Sequence, residues 1–255
     1  MPVLLALHLV LLCINTLIIL VRFNTPVGKF LRNWYPVFFL PLFFTEMHYL
    51  VPIINNRIYD LKLIQFDKFI TWGCQVIDLP LKNEAWLSIL QLGYVSYYFL
   101  PILLLSFLYK KGKMQAFDDA GAGILMMFYF SYIGYVLVPA IGPRYFLTHL
   151  ENPLVGQNTI FLWVNHMLNF LENIQWDAFP SGHVAIAGGV CYYSHKFFRP
   201  LFPIMLLFFM FILLSTVWLR YHYFIDLVAG IALILIVVNL NNGLSKFFAV
   251  AATRD

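Results

Sequence analysis

The sequence predicts an all-α fold, a polytopic bundle of about seven helices embedded in a membrane, and three observations carry that prediction. Hydrophobic residues make up 62% of the chain and charged residues 11%, with a mean hydropathy of +0.80, a composition that excludes an ordinary water-soluble surface. Apolar runs recur along the chain at about the 20 residues a helix needs to cross a hydrocarbon layer of about 30 Å. Cations gather between alternate runs. That is the pattern of membrane topology, and the formal charge of +4 is too small and too scattered for a nucleic-acid surface.

The runs fall at about 2–22, 35–54, 85–109, 121–142, 183–198, 201–219 and 223–240. The first follows Met1-Pro2 with no basic segment ahead of it and no small-residue cleavage site before Arg22, so it reads as a retained helix and not a signal peptide. In the fifth, Ser194, His195 and Lys196 shorten the apolar part, while Ala185, Ala187, Gly188 and Gly189 suit close helix packing in lipid. Cys13, Cys74 and Cys191 are too widely spaced for a disulfide framework or a metal knuckle and read as packing residues. The connection from 143 to 182 is too long for a hairpin. Within it Ile160, Phe161, Val164, Met167, Leu168 and Leu171 recur at helical spacing, which predicts an amphipathic interfacial helix; the other reading, a solvated lid, sits poorly with Trp163 and Trp176. No repeat or second domain interrupts residues 1–255, which read as one membrane domain.

Loop charge orients the bundle. Arg22, Lys29 and Arg32 follow the first run, Lys110, Lys111 and Lys113 the third, Lys196 and Arg199 the fifth, and Lys246 and Arg254 lie in the tail. Alternation through seven helices puts all four groups on one side, the cytoplasmic side by the positive-inside rule, with the N-terminus outside and the C-terminus in the cytoplasm.

Two polar segments then fall on the opposite face: Phe179-Pro180-Ser181-Gly182-His183, and Arg220-Tyr221-His222-Tyr223-Phe224-Ile225-Asp226. Polar groups at a membrane edge are costly to keep without a use. Ser181 can cap the helix that begins there, Gly182 lets a ligand approach the backbone, and the free amides favour an anion beside His183; a plain cap with an interfacial histidine is the other reading. His222 and Asp226, four apart, share a helix face, so the carboxylate can hold the imidazole in one tautomer as a nucleophile or base. Arg220 adds a cation able to grip phosphate oxygens. Alternatively, Arg220 and Asp226 pair at the interface and His222 only packs. Arg144, in Gly142-Pro143-Arg144-Tyr145, offers another guanidinium on this face, or else a snorkelling anchor. No third ligand stands near His183 and His222 to complete a zinc site, and no metal or cofactor is expected.

An arginine at a helix end, then Pro-Ser-Gly-His, then His-x-x-x-Asp resembles the type 2 phosphatidic acid phosphatase superfamily of membrane lipid phosphatases and phosphotransferases, over about residues 121–240. The resemblance implies a six-helix family core plus one further helix, and a membrane lipid carrying a phosphate as substrate. It implies that His222 attacks phosphorus to give a phosphohistidine, that Asp226 orients it, and that His183 protonates the leaving oxygen. Arg144, Arg220, Ser181 and the Gly182 amide would hold the phosphoryl oxygens. Leu137 stands where the commonest first motif has lysine, Tyr145 replaces its proline, and Thr216 stands where the third motif has arginine. These departures, with Tyr59-Asp60, Phe66-Asp67 and Tyr94-x-Ser96-Tyr97-Tyr98, look more like the inositol phosphorylceramide synthase-like branch, which implies a polyol or alcohol acceptor in place of water.

Asp60 and Asp67 are expected as solvated loop acids, with binding of a polyol or choline-like head as the alternative. Glu46 and His48, two apart on a membrane helix, either line a headgroup pocket or bond between helices. His149 and His166 are expected at the interface, and His8 and His195 have no nameable partner. A lipid-binding or transporting protein that retains the motif for headgroup recognition is the non-enzymatic reading.

Overall fold

The protein is described by a computed structural model that covers residues 9–14, 16–18, 25–72, 84–147, 162–164, 166 and 176–252. All regular elements among these residues are helical, as expected. Eight helices frame the site: α1 (Pro26–Ile54), α2 (Asp60–Ile70), α3 (Glu84–Val95), α4 (Leu100–Lys110), α5 (Met114–Leu137), α6 (Gly182–Phe197), α7 (Phe202–Trp218) and α8 (Phe224–Ala252). A shorter apolar helix spans Leu9–Ile18.

The described residues do not by themselves reach the expected count of seven spans. Among the described residues four helices are long and apolar enough to cross a membrane, or up to five if a bent pair forms one span. That pair is the predicted run 85–109, which breaks at the 3-10 turn Ser96–Tyr98 and bends by 47° before α4. Pro101, in the first turn of α4, suits a helix start and not a helix interior. α1 begins well before the predicted residue 35, because Thr25 caps it by accepting the Gly28 amide at 3.1 Å and Pro26 supplies its first turn.

α6, with 16 residues, falls short of a full span, yet 12 of them are buried. It packs against α5, α7 and α8, so the small residues noted in the sequence serve close helix contacts, as expected. Of the amphipathic segment expected at 160–171, residues 162–164 and 166 are helical and the others lie outside the described residues.

The cationic turns meet at one end of the bundle. Lys113 Nζ donates to the Phe197 carbonyl at 2.9 Å, Lys196 Nζ donates to Asn242 Oδ1 at 2.8 Å, and Trp34 of α1 packs on Phe117 at 5.5 Å. The polar segments meet at the other end, where the Ala178 amide donates to the Ala140 carbonyl at 3.2 Å and the Ser181 amide to the Asp226 carbonyl at 3.0 Å.

Candidate active site

The turn between α7 and α8 is wound around one acceptor. The Thr216 carbonyl takes the amides of both Tyr221 and His222 at 3.0 Å, and Arg220 adopts a left-handed φ of 60° to allow it. α8 then starts with its orphan amides answered by carboxylates: Asp226 Oδ2 reaches back to the Tyr223 amide at 2.8 Å, and Asp67 of α2 accepts from Phe224 at 2.8 Å and Ile225 at 2.7 Å. His222 is thereby fixed at the mouth of the helix and is buried.

The His222 ring has two acceptors at Nδ1. The Ala178 carbonyl lies at 2.8 Å and Asp226 Oδ2 at 3.5 Å, so the backbone oxygen is the shorter partner of the pair. Both favour a proton on Nδ1 and leave the Nε2 lone pair to act. Burial lowers the proton affinity of His222, but the hydrogen bond and charge of Asp226, with Asp177 and the Ala178 carbonyl, more than offset it and hold the group above its ordinary 6.5.

His183, in the first turn of α6, brings its ring to 5.7 Å from that of His222, centroid to centroid. It lies between Tyr94 at 4.3 Å and Tyr97 at 4.2 Å, and its Nδ1 is 3.4 Å from the Tyr94 hydroxyl. Tyr94 stacks in turn on Tyr221 at 4.1 Å, and the Arg144 guanidinium sits 4.8 Å from the Tyr221 ring centre. Two neighbours that close cannot share one ring face. A column therefore runs Arg144, Tyr221, Tyr94, His183, Tyr97, and joins the predicted cation to the predicted acid through aromatic rings.

The seven residues singled out in the sequence are thus drawn to one end of the bundle, in somewhat different relations from those expected. Ser181 is fully buried and caps α6 by accepting the Val184 amide at 3.4 Å. At Gly182 an added Cβ would lie 2.6 Å from the Tyr135 hydroxyl, so the missing side chain makes room for α5. Arg220 stands in a left-handed turn and not on a helix, half-buried, two residues before His222.

Asp60 and Asp67 are not solvated loop acids. Both are buried on α2, seven residues apart on one face. Asp60 accepts from the amides of Ile141 at 3.0 Å and Gly142 at 2.9 Å and from the Tyr223 hydroxyl at 2.8 Å. Burial raises the Asp67 carboxyl above its ordinary 3.8, although the Ile225 and Phe224 amides pull it down. Burial and the Asp60 carboxylate likewise keep the Tyr223 phenol protonated. The two-turn spacing of these acids was the signal for a shared face.

Glu46 is buried on α1, and the His48 ring meets Tyr49 edge-on at 5.0 Å. His195 has a partner after all, the Phe202 ring at 4.8 Å. Cys13 and Cys191 are free thiols; Cys74, His8 and His149 lie outside the described residues. Tyr221 stands in a segment singled out in the sequence but without a role assigned to it, and Asp177 and the Ala178 carbonyl carry no signal there. A backbone acceptor has no residue-type signature, and aromatic residues at a membrane edge are common.

A family model described as the PAP2 superfamily matches residues 61–240. A PA-phosphatase related-family protein of Dictyostelium discoideum is 29% identical over 166 residues, covering 56% of this chain and 30% of that relative, so the chain spans about a third of the length of the curated relative it matches. No solved structure matches. The family match takes in more than half of the chain, from the helix of Asp67 to the helix of Asp226, and on that basis the chain belongs to the PAP2 superfamily.

Proposed function

We propose that this protein is an integral membrane enzyme that cleaves or transfers the phosphoryl group of a lipid phosphate through a phosphohistidine on His222. The observation that carries the reading is the fixing of His222 Nδ1 by the Ala178 carbonyl and Asp226, which leaves Nε2 free, with the His183 ring 5.7 Å away. Membership of the PAP2 superfamily supports a lipid phosphatase type of function.

In the proposed first step the Nε2 lone pair attacks phosphorus, the bond from phosphorus to the lipid oxygen breaks, and His183 gives that oxygen a proton. In the second, His183 takes a proton from water or an alcohol, whose oxygen displaces His222 from phosphorus. Arg144 and Arg220 are the proposed counter-charges for the phosphoryl oxygens, with Ser181 and Gly182 shaping the wall beside them. The proposed site lies on the non-cytoplasmic face of a single membrane domain with its catalytic core at about 121–240. The meeting of Lys113, Lys196 and the start of α1 at the opposite end supports that orientation.

The test is to incubate purified protein with lipid phosphate labelled in phosphorus, quench, and look for an acid-labile adduct. The expected adduct is absent from His222→Ala, which also loses turnover. Free phosphate names water as acceptor, and a new phosphate ester formed with added inositol names an alcohol. Undiminished turnover in His222→Ala sinks the mechanism. Lipid binding by a wild type that neither forms adduct nor turns over leaves the non-enzymatic reading.

A further inference from the structure

A groove of about 720 Å³ opens beside His183 and runs between α1 and the pair α4 and α5. Asp177, His183 and Tyr97 line its site end, and Arg32, Asn33 and Asp118 its far end. Position along α5 measures the separation. Gly182, next to His183, faces Ser131 and Tyr135, whereas Trp34, next to Asn33, packs on Phe117. The fourteen steps from Phe117 to Ser131 rise about 20 Å at about 1.5 Å each. Between the ends the walls are apolar, with Val37, Leu40 and Phe44 on α1 and Ile124, Leu125 and Phe128 on α5.

We propose that this groove holds one extended hydrocarbon chain of the lipid phosphate, and that Gly121, near the far end, sets the longest chain it accepts. The inference rests on the site being one for lipid phosphates. His183 lines the groove and its ring lies 5.7 Å from that of His222, so a phosphate held between the two histidines has its tail at the groove's mouth. Half the hydrocarbon thickness is about 15 Å, so the groove carries a straight chain past the middle of the bilayer. A chain that moves from lipid into an apolar groove gains little from the hydrophobic effect, since both surroundings are apolar. Discrimination therefore comes from fit, and the polar end at Arg32, Asn33 and Asp118 stops an apolar chain from going further. Gly121 lines the groove, and the nearest atom to a Cβ added there is Leu105 Cδ2 at 3.9 Å, so a larger side chain has room to fill this end.

The experiment uses two monoacylglycerol phosphates, one short-chain and one long-chain, each with a diazirine at the chain terminus. Photolabelled full-length protein is mapped by mass spectrometry. The long-chain probe is expected to label α5 around Gly121 to Leu125 and the short-chain probe around Phe128 to Tyr132. Gly121→Leu is expected to lower the long-to-short ratio of kcat/KM by about tenfold or more. Labels confined to residues 1–24, outside the groove's described lining, would place the chain elsewhere and overturn the proposal. Labelling of one position by both probes overturns it too, as does an unchanged ratio in a folded Gly121→Leu protein. The wild-type map decides by itself if that variant does not fold. A wild type that labels as expected but neither releases phosphate nor forms a new phosphate ester with added inositol counts against the proposed reaction and not against the groove.

Discussion

His222 is held at one ring nitrogen by oxygens of different kinds, and the difference sets its pH behaviour. Burial lowers its proton affinity, but Asp226 together with Asp177 and the Ala178 carbonyl raises it above 6.5. Below that raised value the ring is an imidazolium without the lone pair that the proposed attack on phosphorus needs, so under that proposal kcat/KM should fall as pH drops, with a midpoint above 6.5. Asp226→Asn removes the charge and should move the midpoint to lower pH, measured as a pH profile of kcat/KM. In linkage terms the raised affinity stabilises the fold fully below 6.5 and is lost as pH climbs through the folded value. If His183 is the proposed general acid, His183→Ala should cost about 10²–10⁴-fold in kcat, and the loss should shrink for substrates whose leaving group needs no proton. The histidines and Asp226 were legible because a motif and a four-residue spacing announce them. The Ala178 carbonyl, 0.7 Å closer to His222 than Asp226 is, was not, because any residue carries a carbonyl.

At the scale of elements, α2 does work that its sequence disguises. Its acids stand among Lys62, Gln65 and Lys68 and look like solvent-facing residues, yet the face they share is turned inward. Asp67→Ala would strip the caps from the first two amides of α8 and should cost about 1–2 kcal/mol, read as a lower Tm in detergent. Gly230 tests the join between α6 and α8. A Cβ there would lie 2.7 Å from the Ser181 carbonyl oxygen, a backbone atom with little freedom to move. Gly230→Ala should therefore displace the start of α6 from His222 and lower kcat while the protein still inserts in the membrane, checked by activity beside expression in the membrane fraction. Helix starts were partly legible: Thr25-Pro26 is a start signal, but apolar content alone put the first residue of α1 too late. The bend at Ser96–Tyr98 was not, because hydropathy runs unbroken across it.

For the whole molecule, the cationic end and the polar end should face opposite compartments. With the native cysteines replaced by serine, Lys111→Cys should react with an impermeant maleimide only from the cytoplasmic side, and Trp72→Cys, 94% exposed, only from the other side. Labelling of both from one side would break the orientation. The all-helical class was legible from composition, since lipid leaves a backbone few other ways to satisfy its polar groups. The number of spans was less so: α6 is short because it is wrapped by neighbours, and hydropathy cannot distinguish a helix wrapped in protein from one bathed in lipid. One 11-residue helix, α2, grips the stretch ahead of Arg144 through Asp60 and the stretch after His222 through Asp67. The gap between these two walls is thus gauged by a rigid rod lying across them, and any tilt of that rod would move both walls as one jaw.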